Sequence, residues 1–117
     1  MRIALIEDLT QGPIPAGSNL LVEFEAASQW YAASVTIAAE WLTSGGTLVY
    51  SVAAQPPVNI RDQLKRMGLG VTELEAKNTL TIDDWYTATL GQKSSERMAV
   101  QSLKVADLYR ILEACKA

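Results

Sequence analysis

Two pairs of carboxylates are the residues of this sequence whose types and spacing come closest to catalytic chemistry. Glu23 and Glu25 are two residues apart, so they would share one face of a strand, and Asp83 and Asp84 follow the run TLTI. A glycosidase pair also needs a substrate cleft between its carboxyl groups, and adjacent aspartates point in different directions with no third metal ligand nearby. We predict solvated or partner-facing acids at Glu23 and Glu25, and a structural cap or loop role for Asp83 and Asp84.

Other residue types narrow the chemistry further. The chain has no histidine, so it lacks the usual general base at neutral pH and the commonest metal ligand. Its single cysteine, Cys115, lies on an apolar helical stripe, where we expect a small buried hydrophobe. The net charge is −3 and the Lys and Arg residues are scattered, which argues against nucleic-acid binding. We predict no metal and no cofactor.

Length and hydropathy indicate the class of protein. A chain of 117 residues with 49% hydrophobic content suits a single folded domain over 1–117. No apolar run approaches the roughly 20 residues that span a bilayer, so we expect no membrane association. The start, MRIALIEDLT, has early acids and a short apolar stretch, which makes a poor signal peptide. The sequence therefore predicts a cytoplasmic protein.

The elements that must position these residues alternate along the chain. Gly and Pro predict an irregular loop over 8–19, and NLLVEF (19–24) has the composition of a buried strand. The remaining predicted elements are a helix from about Gln29 to Thr43 with Ser28 as N-cap, a strand over 47–53, a helix from Pro56-Pro57 to Gly68, a short turn opened by a Thr72/Glu75 capping box, a strand over 79–82, a polar loop over 86–95 and a last helix over 96–116.

This alternation of strands and helices favours an α/β fold. Strand, helix, strand, helix, strand, helix is the order of a parallel sheet covered by helices. We predict a three-layer α/β/α sandwich with a short, mostly parallel sheet.

Several segments, taken in order, resemble KaiC/RadA-like ATPases of the RecA superfamily. The turn GPIPAG (12–17) resembles the family's GGIP-x-G turn, and QPPVNIRDQLKRMGL (55–69) resembles a family stretch that begins EEPP and ends MGI. Further similarity runs through AAEWLTSGGTLVYS (38–51), TLTIDDW (79–85) and SLKVADLYRIL (102–112). The resemblance covers the N-terminal half of the family's domain and implies a truncated RecA-like P-loop NTPase topology.

The resemblance places the family's phosphate-binding loop, G-x-x-x-x-G-K-[ST], on residues that cannot serve it. The two glycines fall on Phe24 and Gln29, whose side chains obstruct the approach of backbone amides to phosphate. The lysine falls on Trp30, which carries no charge, and the Mg²⁺-binding hydroxyl falls on Tyr31, whose phenol lies a ring's length away. The phosphate-binding loop (Walker A motif) is thus degenerate.

A second catalytic element is also missing. In the family, an acidic pair after the second strand polarises the attacking water, and here those positions are Ala54 and Gln55. Neither can act as a general base. The resemblance therefore implies a pseudo-ATPase, not an enzyme, that acts as a regulatory or scaffolding protein through a protein partner or self-association.

The contact residues implied by this hypothesis are aromatic. Trp and Tyr are favoured at interfaces, and the candidates are Phe24, Trp30, Tyr31, Trp85 and Tyr86. Core packing is an alternative interpretation for Trp30, Tyr31 and Trp41.

Two functional alternatives remain open. One is a small-molecule or nucleotide-binding protein that uses the altered loop as a pocket. The other is a DNA-repair or recombination accessory protein, which the chain's acidity disfavours. In either case, the family's later strands lie between its first and second strands, so we expect the first strand to pair directly with the second or to leave a gap that a partner covers.

Overall fold

The computed structural model describes residues 4–23, 25, 29–101 and 104–115. Its elements, in chain order, are α1 (Ala4–Thr10), α2 (Trp30–Thr43), β1 (Leu48–Val52), α3 (Pro57–Arg66), α4 (Val71–Ala76), β2 (Leu80–Asp84), α5 (Tyr86–Thr89), β3 (Met98–Ala99) and α6 (Val105–Cys115). This part of the chain is a small α/β protein, as the alternation of elements predicted.

Within the described residues, the three strands form one parallel sheet in the order β1-β2-β3. Leu48 pairs with Leu80 at one end of β1 and Val52 pairs with Asp84 at the other, while β3 joins β2 through Asp83 and Met98. Parallel strands end at the same edge of a sheet, so the residues after β1, β2 and β3 are brought together there. The predicted strands at 47–53 and 79–82 are confirmed as β1 and β2.

Helices α2, α3 and α4 pack on one face of the sheet and form the core. Ile60 and Leu64 lie one turn apart on α3 and are completely buried, as is Leu80 of β2. Because successive strand residues point to opposite faces, Leu80 and Ile82 join this core while Thr81 does not. The buried cluster comprises Val35, Ala38, Ala39, Leu42, Val52, Ile60, Leu64, Val71, Leu80 and Ile82.

The helix ends follow the predicted signals. After α2, Gly45 has φ +92°, and after α3, Gly68 has φ +89°, a left-handed conformation that glycine adopts without penalty. Pro57 occupies the first turn of α3, where its missing N–H costs no hydrogen bond. Ser28, the predicted N-cap of α2, lies outside the described residues, and the helix begins at Trp30 after Gln29.

The predicted strand over 19–24 is wrong for the residues that the structure describes. Residues 19–23 have no regular secondary structure, and Leu20, Leu21 and Val22 are all exposed to some degree, Leu21 at 83%. Leu20 and Val22 line a cavity of about 440 Å³ together with residues of α2, including Trp41. An apolar run becomes a strand only where a neighbouring strand can pair with it, and here the run lines a cavity beside α2 instead.

The predicted last helix over 96–116 begins too early. Its first part forms β3, and α6 starts only at Val105. The backbone N–H of Val100 donates to the carbonyl of Asp84 at 2.9 Å, and Ala99 and Val100 are buried. Pairing with the free edge of β2 therefore overrides local helix preference in this segment.

Three smaller predictions also need correction. The loop predicted over 8–19 begins inside α1, and the loop predicted over 86–95 begins with α5, whose first turn is held by the Asp84 carboxylate. The predicted capping box is wrong, because α4 begins at Val71 with no side-chain cap. Glu75, its expected acidic member, instead binds Arg61 of α3.

Candidate functional site

A groove beside β1 is the site at which the structure brings several predicted residues together. It has a volume of about 370 Å³ and lies between the beginning of α2, the length of β1 and the beginning of α3. Its lining residues are Trp30, Tyr31, Ser34, Val49, Tyr50, Ser51, Val52, Ala53, Ala54, Gln55 and Ile60. We call it the β1 groove.

The polar groups of the β1 groove are neutral. Ser34 Oγ and Tyr50 Oη form a hydrogen bond, and Asn59 Nδ2 donates to Gln55 Oε1 at 2.9 Å. Tyr31 Oη is buried and has no hydrogen-bond partner among the described residues. A buried hydroxyl without a partner is uncommon in proteins, so the hydrogen-bonding capacity of Tyr31 Oη is unused among the described residues.

Both tyrosines keep their protons at physiological pH. Burial raises the pKa of the Tyr31 phenol, and the nearby Tyr50 and Asp62 raise it further. Burial also raises the pKa of Tyr50, against a smaller lowering by the Ser34 hydrogen bond. Neither phenol can therefore act as an anionic base or nucleophile near neutral pH.

The lining of the β1 groove contains no charged residue. The Trp30 and Tyr31 rings meet edge to face, with centroids 5.9 Å apart and planes at 77°. Phosphate binding depends on backbone amides, a lysine or a metal ion, and the residues that line the groove include no lysine. The lining residues are chemically suited to contacts with neutral groups.

The structure brings together four of the positions that the resemblance singled out. Trp30 and Tyr31, which the resemblance assigns to a degenerate phosphate-binding loop, line the same groove as Ala54 and Gln55, which it assigns to the catalytic carboxylate positions. The ends of α2 and β1 meet there, although the two pairs lie more than 20 residues apart in the sequence. Phe24 lies outside the described residues.

Trp85 and Tyr86 are not part of the β1 groove. Both are half-buried, and the Trp85 indole donates from Nε1 to Asp83 Oδ2 at 2.6 Å. Ser51 Oγ donates to the same oxygen at 3.1 Å, while Asp83 Oδ1 is buried without a partner among the described residues. The Trp85 ring is therefore engaged with the sheet, and its proposed role in partner contact stays a prediction.

Trp41 lies apart from Trp30 although both belong to α2. Its indole donates from Nε1 to the carbonyl of Thr47 at 2.9 Å and lies against Gly46, where an added Cβ would be 2.5 Å from Trp41 Cε2. Tyr31, by contrast, packs against the core cluster as well as lining the groove. Core packing and groove lining are thus combined in Tyr31.

The acidic pairs have no arrangement typical of catalysis. Asp83 and Asp84 are each 1% exposed and belong to β2, so they point to opposite faces of the sheet. Glu23 and Glu25 are exposed, and without a strand at 19–23 the argument that they share a face no longer holds. Across the described ranges, no group of three or more acidic or cysteine side chains is placed to hold a metal ion.

Sequence reasoning missed one cluster of charged residues. Arg61 of α3 donates from Nη2 to Glu75 Oε1 at 2.7 Å and from Nη1 to Glu96 Oε2 at 2.7 Å. The three residues are far apart in sequence. The only hint in the sequence is that Arg61 belongs to a predicted helix, from whose surface its long side chain could reach another element. This cluster ties α3, α4 and the segment before β3 together.

Comparisons with known proteins do not place the chain in a family. No protein-family model matches it, and no curated protein matches it. The resemblance to KaiC/RadA-like ATPases therefore stays a prediction from the sequence. Among the helices of the described residues, none is both long enough and apolar enough to cross a bilayer.

Proposed function

We propose that this protein is a catalytically inactive relative of KaiC/RadA-like ATPases that acts as a regulatory or scaffolding protein through protein–protein contacts. Its fold would be a truncated RecA-like α/β/α sandwich. β1 and β2, which correspond to the segments resembling the family's second and third strands, are adjacent and parallel, and this supports the proposal.

The observation that carries the proposal is the composition of the β1 groove. Two separate catalytic elements of the family would converge where Trp30 and Tyr31 meet Ala54 and Gln55. Neither element has a residue that can bind phosphate or activate water, and the tyrosines remain neutral. Aromatic side chains beside an open strand instead favour contact with another polypeptide.

Titration with ATP and Mg²⁺ tests the loss of nucleotide binding. The chain has three tryptophans, and Trp30 alone lines the groove, so a Trp41→Phe/Trp85→Phe variant reports on this site. We expect no saturable change in Trp30 emission, and no retention of ATP by the wild-type chain in equilibrium dialysis. A Mg²⁺-dependent saturable signal in either experiment would refute the proposal.

Binding of a small neutral ligand is a second candidate function. The groove volume of about 370 Å³ lies in the lower part of the range of ligand pockets, about 300–1,000 Å³, and the Tyr31 hydroxyl lacks a partner among the described residues. A thermal-shift screen of neutral aromatic compounds tests this alternative. A hit whose stabilisation disappears in Tyr31→Phe would support it, whereas an unchanged melting temperature across the screen would count against it.

A further inference from the structure

The outer edge of β1 has no strand beside it among the described residues. Leu48 N donates to the Thr79 carbonyl and Trp85 N donates to the Val52 carbonyl, so Leu48, Tyr50 and Val52 direct their backbone groups towards β2. In a parallel pair the intervening residues face the other way. The N–H and C=O groups of Val49 and Ser51 therefore point to the open edge.

The β1 groove follows this edge. Every residue from Val49 to Gln55 lines it, so both odd- and even-numbered residues of β1 contribute. A pocket on one face would be lined by alternate residues only, whereas a groove along the backbone contacts consecutive ones. Its length and open side are suited to an extended chain that pairs with β1.

Edge strands in native proteins usually carry features that prevent pairing, such as charges, proline or bulges. The sequence of β1, LVYSV, has no charged residue and no proline, and its five residues pair with β2 in unbroken register. Val49 is 39% exposed and Ser51 is also exposed. The edge is therefore open to pairing.

We propose that β1 pairs with β1 of a second copy of this chain, antiparallel across a two-fold axis at Tyr50. Val49 would then exchange both backbone hydrogen bonds with Ser51 of the second copy, and Ser51 with Val49 of that copy, so all four outward-facing groups of each strand are satisfied. The result is a continuous sheet built from the three described strands of each copy. This inference rests on the proposed function in one respect: it identifies the partner for the protein–protein contacts proposed there.

Charge favours a second copy over a charged peptide. The groove lining is neutral, so an acidic or basic strand would bury its charge among side chains that carry none. β1 itself is neutral and exposes one apolar and one hydroxyl side chain at the edge, which are mutually compatible across the axis. Two-fold dimers are also the commonest homo-oligomers.

Sedimentation of the full chain over a concentration series tests the proposal. We expect the wild-type mass to reach twice the 12.7 kDa of the monomer. Val49→Pro removes an outward N–H without removing a bond to β2, and Val49→Lys adds a charge to the edge. Each should weaken self-association by at least about tenfold.

The matched control is Val58→Lys, an equal change at a residue of α3 that is 54% exposed and outside the groove. It should dimerise like the wild type, and far-UV circular dichroism should show that all variants are folded. A wild type that stays monomeric overturns the inference, as does a dimer that survives both changes at Val49. ATP binding is measured separately. A chain that is monomeric and does not bind ATP would therefore refute the dimer without contradicting the proposed function.

Discussion

Asp84 illustrates how a single buried charge is stabilised in this protein. It is 1% exposed, and its carboxylate accepts hydrogen bonds from the backbone N–H and the hydroxyl of Thr87 and, at 2.6 Å, from Ser94 Oγ. Burial by itself raises the pKa of Asp84, but the bonds from Ser94 and Thr87 outweigh it and hold the pKa below its ordinary value. The charged form is thus the one that stabilises the fold.

Replacing Asp84 by Asn should destabilise the protein by about 2 kcal/mol at pH 7, since an amide cannot accept all of these bonds. Because the pKa of Asp84 is lower in the folded than in the unfolded state, its charge stabilises the fold fully at pH values above the unfolded pKa of about 3.9. That stability is lost as the pH falls through the folded pKa. The free energy of unfolding, measured with urea at pH 7 and at pH 3, should therefore change less between the two pH values in the variant than in the wild type.

Asp62→Asn, the same change at an exposed residue of α3, is the control for Asp84→Asn. It should leave the free energy of unfolding within about 0.5 kcal/mol of the wild-type value. An equal loss of stability in both variants would contradict the role assigned to Asp84.

Among the elements, β3 depends most on contacts distant in sequence. It has only two residues. Glu96, which lies just before β3 in the chain, binds Arg61 of α3. Arg61 also binds Glu75, so one cation holds two carboxylates from different elements, and the hydrogen bonds to Glu96 and then Glu75 raise its pKa further. These contacts position the segment around Glu96, which the sequence pattern by itself assigns to the last helix.

Arg61→Met should cost more stability than Glu96→Gln. Removing the arginine leaves two carboxylates without their cation, whereas removing Glu96 leaves a balanced pair with Glu75. For partly exposed side chains we expect about 2 kcal/mol for Arg61→Met and about 1 kcal/mol for Glu96→Gln, measured by chemical denaturation. Arg66→Met, at an exposed position of the same helix, is the control, and the opposite order of the two main variants would disprove this account.

At the scale of the whole molecule, one buried cluster connects α2, β1, α3, α4 and β2. Leu64 is completely buried within it. A residue in such a cluster supports several elements at once, so its loss should weaken them together. The described core is therefore expected to unfold as one cooperative unit.

Leu64→Ala should lower the free energy of unfolding by about 3 kcal/mol through the cavity it leaves, and the melting temperature by about 10 °C. Tryptophan fluorescence and far-UV circular dichroism, compared at one protein concentration, should give the same midpoint. Leu90→Ala, at a leucine that is 54% exposed, should change the midpoint little. Two separate transitions would show that the core is divided.

Local patterns in the sequence were sufficient for α2, α3, β1 and β2. Glycine or proline marks the end of α2, the start of β1 and both ends of α3, because the backbone preferences of these residues act within a few positions. The candidate groove was partly anticipated, because Trp30, Tyr31, Ala54 and Gln55 were singled out through the resemblance. Ser34 and Tyr50 were missed, since neutral polar side chains give no signal of convergence in a sequence.

Tertiary structure decided the strands that depend on partners. The apolar run at 20–22 has no neighbouring strand among the described residues, while Met98–Ala99 pairs with β2 although the sequence predicted a helix over 96–116. A helix makes its hydrogen bonds within itself, so its residues largely specify it, whereas a strand exists only through bonds to another segment. For the same reason the open edge of β1, and the groove along it, could be recognised only after the sheet was assembled.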